Sequence, residues 1–212
     1  FEPRFTWRPG LDYKKTDHTF NLNYNIAFKD FTEFGVRIRN SFIFLTEAFD
    51  PTATDGAEEL PENIGYTFNS IRLRYNTNNA DVFSFRTRAS AGEFFNGMRY
   101  SIGGEALLRL QPKVRLSLNI NYDKIELPDP YPSADLWLLS PRVGVTFTKS
   151  IFWSTVFQYS NQRDNLGINS RLQWRFAPLS DLFIVYNDNY FVNSFQPKFR
   201  SLNLKLTYWL NI

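Results

Sequence analysis

The stretch from Met98 to Tyr122, MRYSIGGEALLRLQPKVRLSLNINY, limits what this chain can fold into more than any other. Tyr100, Ile102, Gly104, Ala106, Leu108 and Leu110 fall on one side of an extended backbone. Ser101, Gly103, Glu105 and Arg109 fall on the other, with Leu107 as the one apolar intruder. Gln111-Pro112-Lys113 turns the chain, and then Val114, Leu116, Leu118, Ile120 and Tyr122 alternate with Arg115, Ser117, Asn119 and Asn121. Strand side chains alternate faces with period two, so this is a hairpin with one apolar and one polar wall. Each limb runs for roughly ten residues or more. Soluble strands are usually about 5–6 residues, whereas a tilted strand crossing a bilayer needs about 9–11.

The rest of the chain repeats this hairpin. Thr16 to Phe28 sets Phe20, Leu22, Tyr24, Ile26 and Phe28 against Thr19, Asn21, Asn23, Asn25 and Ala27. Phe34, Val36, Ile38, Phe42 and Phe44 oppose Arg37, Arg39 and Ser41, and Phe83, Phe85, Thr87, Ala89 and Ala91 oppose Ser84, Arg86, Arg88 and Ser90. Between them the apolar phase of Ile64, Tyr66 and Phe68 slips to Ile71, Leu73 and Tyr75, which predicts a β-bulge near Asn69-Ser70. Pro141 within Trp137 to Phe147 predicts an edge or a bulge. Leu182 to Tyr186 is apolar on both faces, so its phase stays open, and Leu202 to Ile212 alternates to the terminus.

About twelve strands result. Their joints alternate between short ones (29–30, 77–80, 111–113, 149–150, 177–181) and longer ones (47–63, 92–97, 123–135, 161–165, 192–198). Outer-membrane barrels have short periplasmic turns and longer outer loops. The expected fold is therefore all-β: an antiparallel up-and-down transmembrane β-barrel in a bacterial outer membrane, with its C-terminus periplasmic. Residues 1–212 form one barrel domain or the C-terminal portion of a larger barrel. A soluble ligand-binding β-barrel is the alternative, with the apolar phase turned inward.

Composition agrees with strands that are apolar on one side only. Of the 212 residues, 43% are hydrophobic and 18% aromatic, with 22 Phe and 11 Tyr. Mean hydropathy is nonetheless −0.36. No run approaches the roughly 18 apolar residues of a transmembrane helix. There are no cysteines, which excludes disulfides and thiolate chemistry. The chain begins at Phe1 without a Met or a signal sequence and reads as processed or truncated. A net charge of +3 with 18% aromatics raises nucleic-acid binding, but no RNA-binding aromatic motif or clustered basic segment is present.

The charge sits on the polar walls. With the apolar phase towards lipid, the other phase carries Arg37, Arg39, Arg72, Arg74, Arg86, Arg88, Arg99, Arg109, Arg115, Arg142, Arg171, Arg175 and Lys205, with Glu105 as the one clear acid. Glu47, Asp50, Asp55, Glu58, Glu59, Glu62, Asp123, Glu126, Asp129 and Asp135 fall in the expected outer loops. Such a basic lumen would draw anionic solutes through a water-filled pore, or be neutralised by the acidic loops or a separate acidic plug. A solvated lumen with counter-ions is the plainer alternative.

Catalytic signals are weak. His18 is the only histidine, and its neighbour Asp17 points to the opposite face, so the two form no dyad. The even phase sets His18 among the lipid-facing residues near the outer rim. The acids around Asp55-Gly56 lack the ligand spacing of an EF-hand. No catalytic residue, metal or cofactor is expected, although an outer-membrane enzyme stays among the alternatives.

One stretch carries a family likeness. Leu166 to Tyr190, LGINSRLQWRFAPLSDLFIVYNDNY, resembles the C-terminal barrel of a Bacteroidota-type family, also found in other Gram-negative phyla, known only as a domain of unknown function. In that family the barrel follows a domain similar to carbohydrate-binding module family 9. The matching positions are Arg171, Trp174, Pro178, Ser180, Asp181, Leu182, Phe183, Val185, Tyr186 and Asn187. Where the family has Pro-Gly-Ser-Asp, this chain has Pro178-Leu179-Ser180-Asp181. The resemblance implies a scaffold or passage in an outer-membrane assembly, linked to glycan binding or uptake through a domain outside this sequence. Expected partners are outer-membrane lipid and lipopolysaccharide, other outer-membrane proteins, and an anionic solute or acidic plug. An anion-preferring diffusion pore is the rival reading.

Overall fold

In a computed structural model, twelve strands in chain order make one antiparallel up-and-down sheet, each bonded to its sequence neighbours. The structure describes residues 2–9, 15–54 and 56–210. Phe1, Asp55 and Ile212, named above, lie outside them. The strands are β1 (Glu2–Pro9), β2 (Lys15–Ala27), β3 (Glu33–Leu45), β4 (Ile64–Asn76), β5 (Phe83–Phe94) and β6 (Gly97–Leu110). They continue as β7 (Val114–Glu126), β8 (Ala134–Thr146), β9 (Ile151–Ser160), β10 (Asn165–Ala177), β11 (Ser180–Tyr190) and β12 (Pro197–Thr207). From β2 onward each is 10 to 14 residues long, which is the length a bilayer requires rather than the length a soluble sheet favours. No helix occurs among the described residues.

The apolar phase is open to the surroundings. Phe20, Ile38, Ile71, Leu116 and Leu204 are 41%, 52%, 46%, 37% and 68% exposed. The described buried hydrophobics are Leu45, Leu60, Leu107, Ile125 and Leu127, and none comes from the alternating apolar phase. A soluble β-protein needs that phase buried, since this much exposed apolar surface is unstable in water. The soluble-barrel alternative fails on this point. Leu107, the intruder of the opening hairpin, is buried at 8% exposure.

Three local expectations are corrected. The β3–β4 ladder runs from Glu33 with Asn76 to Leu45 with Ile64 in one unbroken register, so β4 has no bulge at Asn69-Ser70 against β3; on its other side the β5 ladder reaches only to Ser70 with Gly92, and the Asn69 N–H donates to Glu93 Oε2 instead. Tyr66 and Phe68 share the face of Arg72 and Arg74 instead. Their aromatic rings had imitated the apolar phase. Around Pro141 the ladder pairs Leu139 with Tyr159 and Arg142 with Val156, the same register on both sides. A proline within an inner strand is therefore absorbed without a bulge, as a local gap in pairing. The expected long joint 92–97 is the two-residue turn Phe95-Asn96, with Phe95 at φ 52°.

The open phase of β11 is settled by its ladder. Arg171 pairs with Val185, Gln173 with Phe183 and Arg175 with Asp181, so these odd positions share the polar wall and Leu182 and Ile184 the apolar one. The last strand ends at Thr207, short of the expected terminus. The Trp209 N–H beyond it donates to Ser180 Oγ at 3.0 Å. By its contacts the chain divides into two units. The first is Phe1–Asn78 with Arg86–Gly104 and Asn121–Leu136, and the second is Asn79–Phe85 with Glu105–Ile120 and Trp137–Ile212.

Candidate functional site

The polar wall of the first unit is an arginine–asparagine ladder. On β2, Asn21 and Asn23 stand opposite Arg39 and Arg37 of β3. On β4, Arg72 stands opposite Arg37, while Arg74 stands opposite Arg88 of β5. The side chains use this register. Arg37 Nε donates to Asn23 Oδ1 at 2.6 Å and Arg39 Nε to Asn21 Oδ1 at 3.0 Å. Arg74 Nη2 donates to Asn25 Oδ1 at 3.2 Å, and Arg88 Nη2 donates to Asn121 Oδ1. An amide oxygen orients a guanidinium without cancelling its charge.

The cations are crowded. Arg37–Arg72 and Arg74–Arg88 are direct cross-strand pairs of like charge, an arrangement that destabilises a sheet. Arg72 also lies within electrostatic reach of Arg39, Arg88 and Arg99. Glu33 and Asp123 answer part of this charge. Arg74 Nη2 is 3.8 Å from Glu33 Oε2, but both side chains are about half exposed (47% and 49%), so the pair is weak. Arg99 donates through Nε (3.0 Å) and Nη2 (2.8 Å) to Asp123 Oδ1, which also accepts from Ser101 Oγ. Asp123 was expected in an outer loop. The structure carries β7 through it to Glu126 and puts it on the polar wall, because the strand runs four residues further than the Pro-rich segment suggested.

Two glycines make room for the ladder. A Cβ on Gly35 would stand 2.8 Å from Asn25 Oδ1, and one on Gly103 would stand 2.6 Å from Asn121 Oδ1 and 3.2 Å from Arg88 Nη2. The wall lines two cavities. One of about 350 Å³ has Arg39, Arg72, Arg88 and Arg99 around it, and one of about 740 Å³ has Arg4, Asn21, Asn23, Arg37 and Arg39.

The loop end of this wall carries a cluster of aromatics that sequence reasoning had placed in lipid or left unassigned. Phe95 packs on Phe49, Tyr66, Phe68 and Phe94 at ring-centre distances of 5.7, 5.4, 5.9 and 4.8 Å. Arg99 lies over the Phe94 ring at 5.2 Å. Loop 46–63 supplies Phe49, whose backbone bonds both ways with the fully buried Leu60. Among the described residues no acid of this loop forms an ion pair with a wall arginine.

In the second unit the predicted cations are spread out. Arg175 Nε lies 3.3 Å from Asp181 Oδ1, Gln173 donates to the same oxygen at 2.9 Å, and Arg171 covers the Phe183 ring at 4.5 Å. Arg109, Arg115, Arg142 and Lys205 make no ion pair among the described residues. Glu105 belongs to this unit, while Arg86 faces Asn76 in the first.

The family-like stretch has local work to do. Leu179 occupies a left-handed turn position, φ 56°, which glycine adopts without strain. Ser180 is fully buried and bonds Pro178 O at 3.3 Å. Trp174, Phe176 and Tyr208 line up near this turn, at centre distances of 5.8 and 6.4 Å, as an interfacial aromatic band would.

His18 does sit on the apolar phase. Its Nε2 is 3.0 Å from Asn40 Oδ1, and its ring lies between Phe5 (6.2 Å) and Phe42 (5.8 Å, stacked). Among the described residues no group of three or more His, Asp or Glu side chains could hold a metal.

No family model matches the chain, and no curated protein does. Two solved structures resemble it. The KdgM porin in complex with disordered oligogalacturonate is 11% identical, with a TM-score of 0.34 over 81% of this chain and 84% of that one. The KdgM porin alone is 9% identical, with a TM-score of 0.33 over 88% of each chain.

Proposed function

We propose that the chain is an outer-membrane β-barrel that passes small anionic solutes, carboxylated or phosphorylated, with the arginine–asparagine wall as its selective element. The observation that carries this reading is the two like-charged cross-strand pairs, Arg37–Arg72 and Arg74–Arg88, in which Arg37, Arg74 and Arg88 are held by the neutral amides of Asn23, Asn25 and Asn121. A wall built only for stability would alternate the signs. Crowded cations facing water hold counter-ions, and a permeant anion exchanges with those. The exposed apolar phase and strand lengths of 10 to 14 residues support a membrane location. The scaffold reading makes no use of these charges, so anion passage is the better supported of the two. The family resemblance of residues 166–190 is compatible with either.

The test is electrical. Purified protein in planar bilayers under a potassium chloride gradient should show a reversal potential on the chloride side. A silent or cation-selective channel would overturn the proposal.

A further inference from the structure

The cavity of about 350 Å³ on the polar wall of the first unit contains one guanidinium that the fold does not use. Three of its four arginines are tied down. Arg39 Nε donates to Asn21 Oδ1 at 3.0 Å, Arg88 Nη2 to Asn121 Oδ1, and Arg99 Nε and Nη2 to Asp123 Oδ1 at 3.0 and 2.8 Å. Arg72 is the exception. It is exposed, and among the described residues its side chain has no hydrogen-bond or ion-pair partner. Its ladder partner Ser90 and its strand neighbour Ser70 line the same cavity, and neither hydroxyl has a partner among the described residues. A guanidinium set opposite another one costs the sheet stability. Its five N–H donors remain free for a ligand.

The rest of the lining narrows what that ligand is. Glu93 and Asp123 face the same space. Glu93 accepts only through Oε2, from Asn69, and Asp123 only through Oδ1, from Arg99 and Ser101. Four guanidinium groups against two carboxylates leave an excess of positive charge, so an anion is favoured. A bare inorganic anion has no use for the two idle carboxylate oxygens, which repel it and accept only from donors. A ligand with a negative group at one end and hydroxyls at the other uses both halves. Arg72 takes the anionic group in its planar fork, while the carboxylates and serines take the hydroxyls. Phe68 and Phe94, with ring centres 6.2 Å apart, add an apolar wall for the C–H face of such a molecule. Gly92, the ladder partner of Ser70, brings no side chain and keeps the floor clear. The volume lies at the lower end of small-molecule sites, roughly 300–1,000 Å³.

We infer that this cavity is a binding site for a small polyhydroxylated anion, a single sugar-like molecule carrying a carboxylate or a phosphate, with Arg72 contacting its charge. The inference deepens the anion-passage reading and rests on its assignment of this wall to water. It adds that the solute is held by contact at one station and not drawn by the field alone.

Equilibrium dialysis against detergent-solubilised protein tests this without any need for conduction. The probes are glucuronate and glucose 6-phosphate, which carry charge and hydroxyls, acetate, which carries charge alone, and glucose, which carries hydroxyls alone. Glucuronate or glucose 6-phosphate should bind saturably, one per chain, and the tighter of the two identifies the anionic group. Acetate and glucose should bind at least about tenfold more weakly, the worth of one hydrogen bond to a charged group. Arg72→Lys keeps the charge and loses the fork, so it should weaken binding by about tenfold. Arg142→Gln, which removes a charge from the second unit, should leave binding unchanged. Heat-modifiable migration on a gel shows that each variant is folded. Acetate binding as tightly as both sugar anions, or Arg72→Lys binding like the parent, means that charge alone attracts the solute and overturns the inference. Absence of binding in a channel that is anion-selective overturns the site and leaves anion passage standing. The expected binding pattern in a silent or cation-selective channel upholds the site and overturns anion passage.

Discussion

Arg74 on β4 and Arg88 on β5 are direct cross-strand partners, and each guanidinium is held by an asparagine, Asn25 for the first and Asn121 for the second. Like charges placed opposite each other cost a sheet roughly 0.2–1 kcal/mol relative to a neutral pair. An acid at either position would remove that cost and add an ion pair. The neutral amides fix the direction of the guanidinium groups while leaving their field intact, which is useful to a wall that must attract anions and release them.

Removing one of these charges should lower anion preference by a predictable step. A unit charge about 7 Å from a permeating ion in water contributes about 0.6 kcal/mol, a factor of about 3 in local anion concentration. Arg88→Ser and Arg72→Ser should each reduce the anion-to-cation permeability ratio by about that factor in bilayer recordings. An unchanged ratio in both variants would mean that the wall does not face the conducting path.

Replacing the neutral acceptor by a charged one makes a sharper test, because shape is kept. Asn23→Asp should turn the 2.6 Å contact with Arg37 Nε into a charge-assisted pair. The variant should fold at least as well as the parent and lose anion preference, as judged by reversal potential. Asn23→Ala should leave the preference in place, since it removes orientation and not charge.

Much of this site could be read from the sequence, for one physical reason. Period-two alternation groups Arg37, Arg72 and Arg88 on one face without any knowledge of pairing. What alternation cannot give is register. Arg74 opposite Arg88, and Asn23 opposite Arg37, appear only once the ladders are known. Phase failed at Tyr66 and Phe68, where aromatic rings on the polar wall mimic an apolar face and invite a bulge that the β3–β4 ladder does not contain. Asp123 was misplaced because proline and acid beyond it look like loop. The hydrogen bonds that join His18, Asn40, Asn69 and Glu93 are invisible for a related reason: four polar residues scattered over 76 positions of chain become neighbours only through three ladders.

Leu179 should be improvable. It holds φ at 56° in the turn between β10 and β11, and its side chain is 66% exposed, so little packing would be lost. A non-glycine residue in the left-handed region costs roughly 1–2 kcal/mol. Leu179→Gly should raise stability by about 1 kcal/mol, less than the full strain because glycine also gains freedom in the unfolded chain. Urea unfolding in detergent micelles measures it, and a destabilised variant would show that Leu179 packs against something after all.

Two other glycines should behave oppositely. A Cβ on Gly97 would stand 2.0 Å from the backbone oxygen of Glu126, whereas one on Gly144 would meet nothing nearer than Arg115 O at 3.7 Å. Backbone cannot swing aside as a side-chain tip can. Gly97→Ala should therefore cost about 1–3 kcal/mol, in the range of overpacking, while Gly144→Ala should be neutral or slightly stabilising. The same unfolding assay compares them, and equal effects would remove the steric account of Gly97.

The acid-sensitive element should be the loop after β3. Burial alone would push the Asp50 carboxyl up, but the Thr52 hydroxyl and the N–H groups of Thr52 and Thr54 donate to it and hold its pKa below the ordinary 3.8. A depressed folded pKa means stability that is present above the unfolded value and lost as pH falls through the folded one. The loop should therefore keep constant protection from pH 8 down to about 4 and open only below that. Hydrogen exchange at the Thr52 and Thr54 amides follows this directly. Asp50→Asn should flatten the acid limb and raise exchange at neutral pH, because an uncharged amide accepts the same bonds more weakly. Protection that fades between pH 8 and 5 would point to a different group and remove Asp50 as the anchor of the turn.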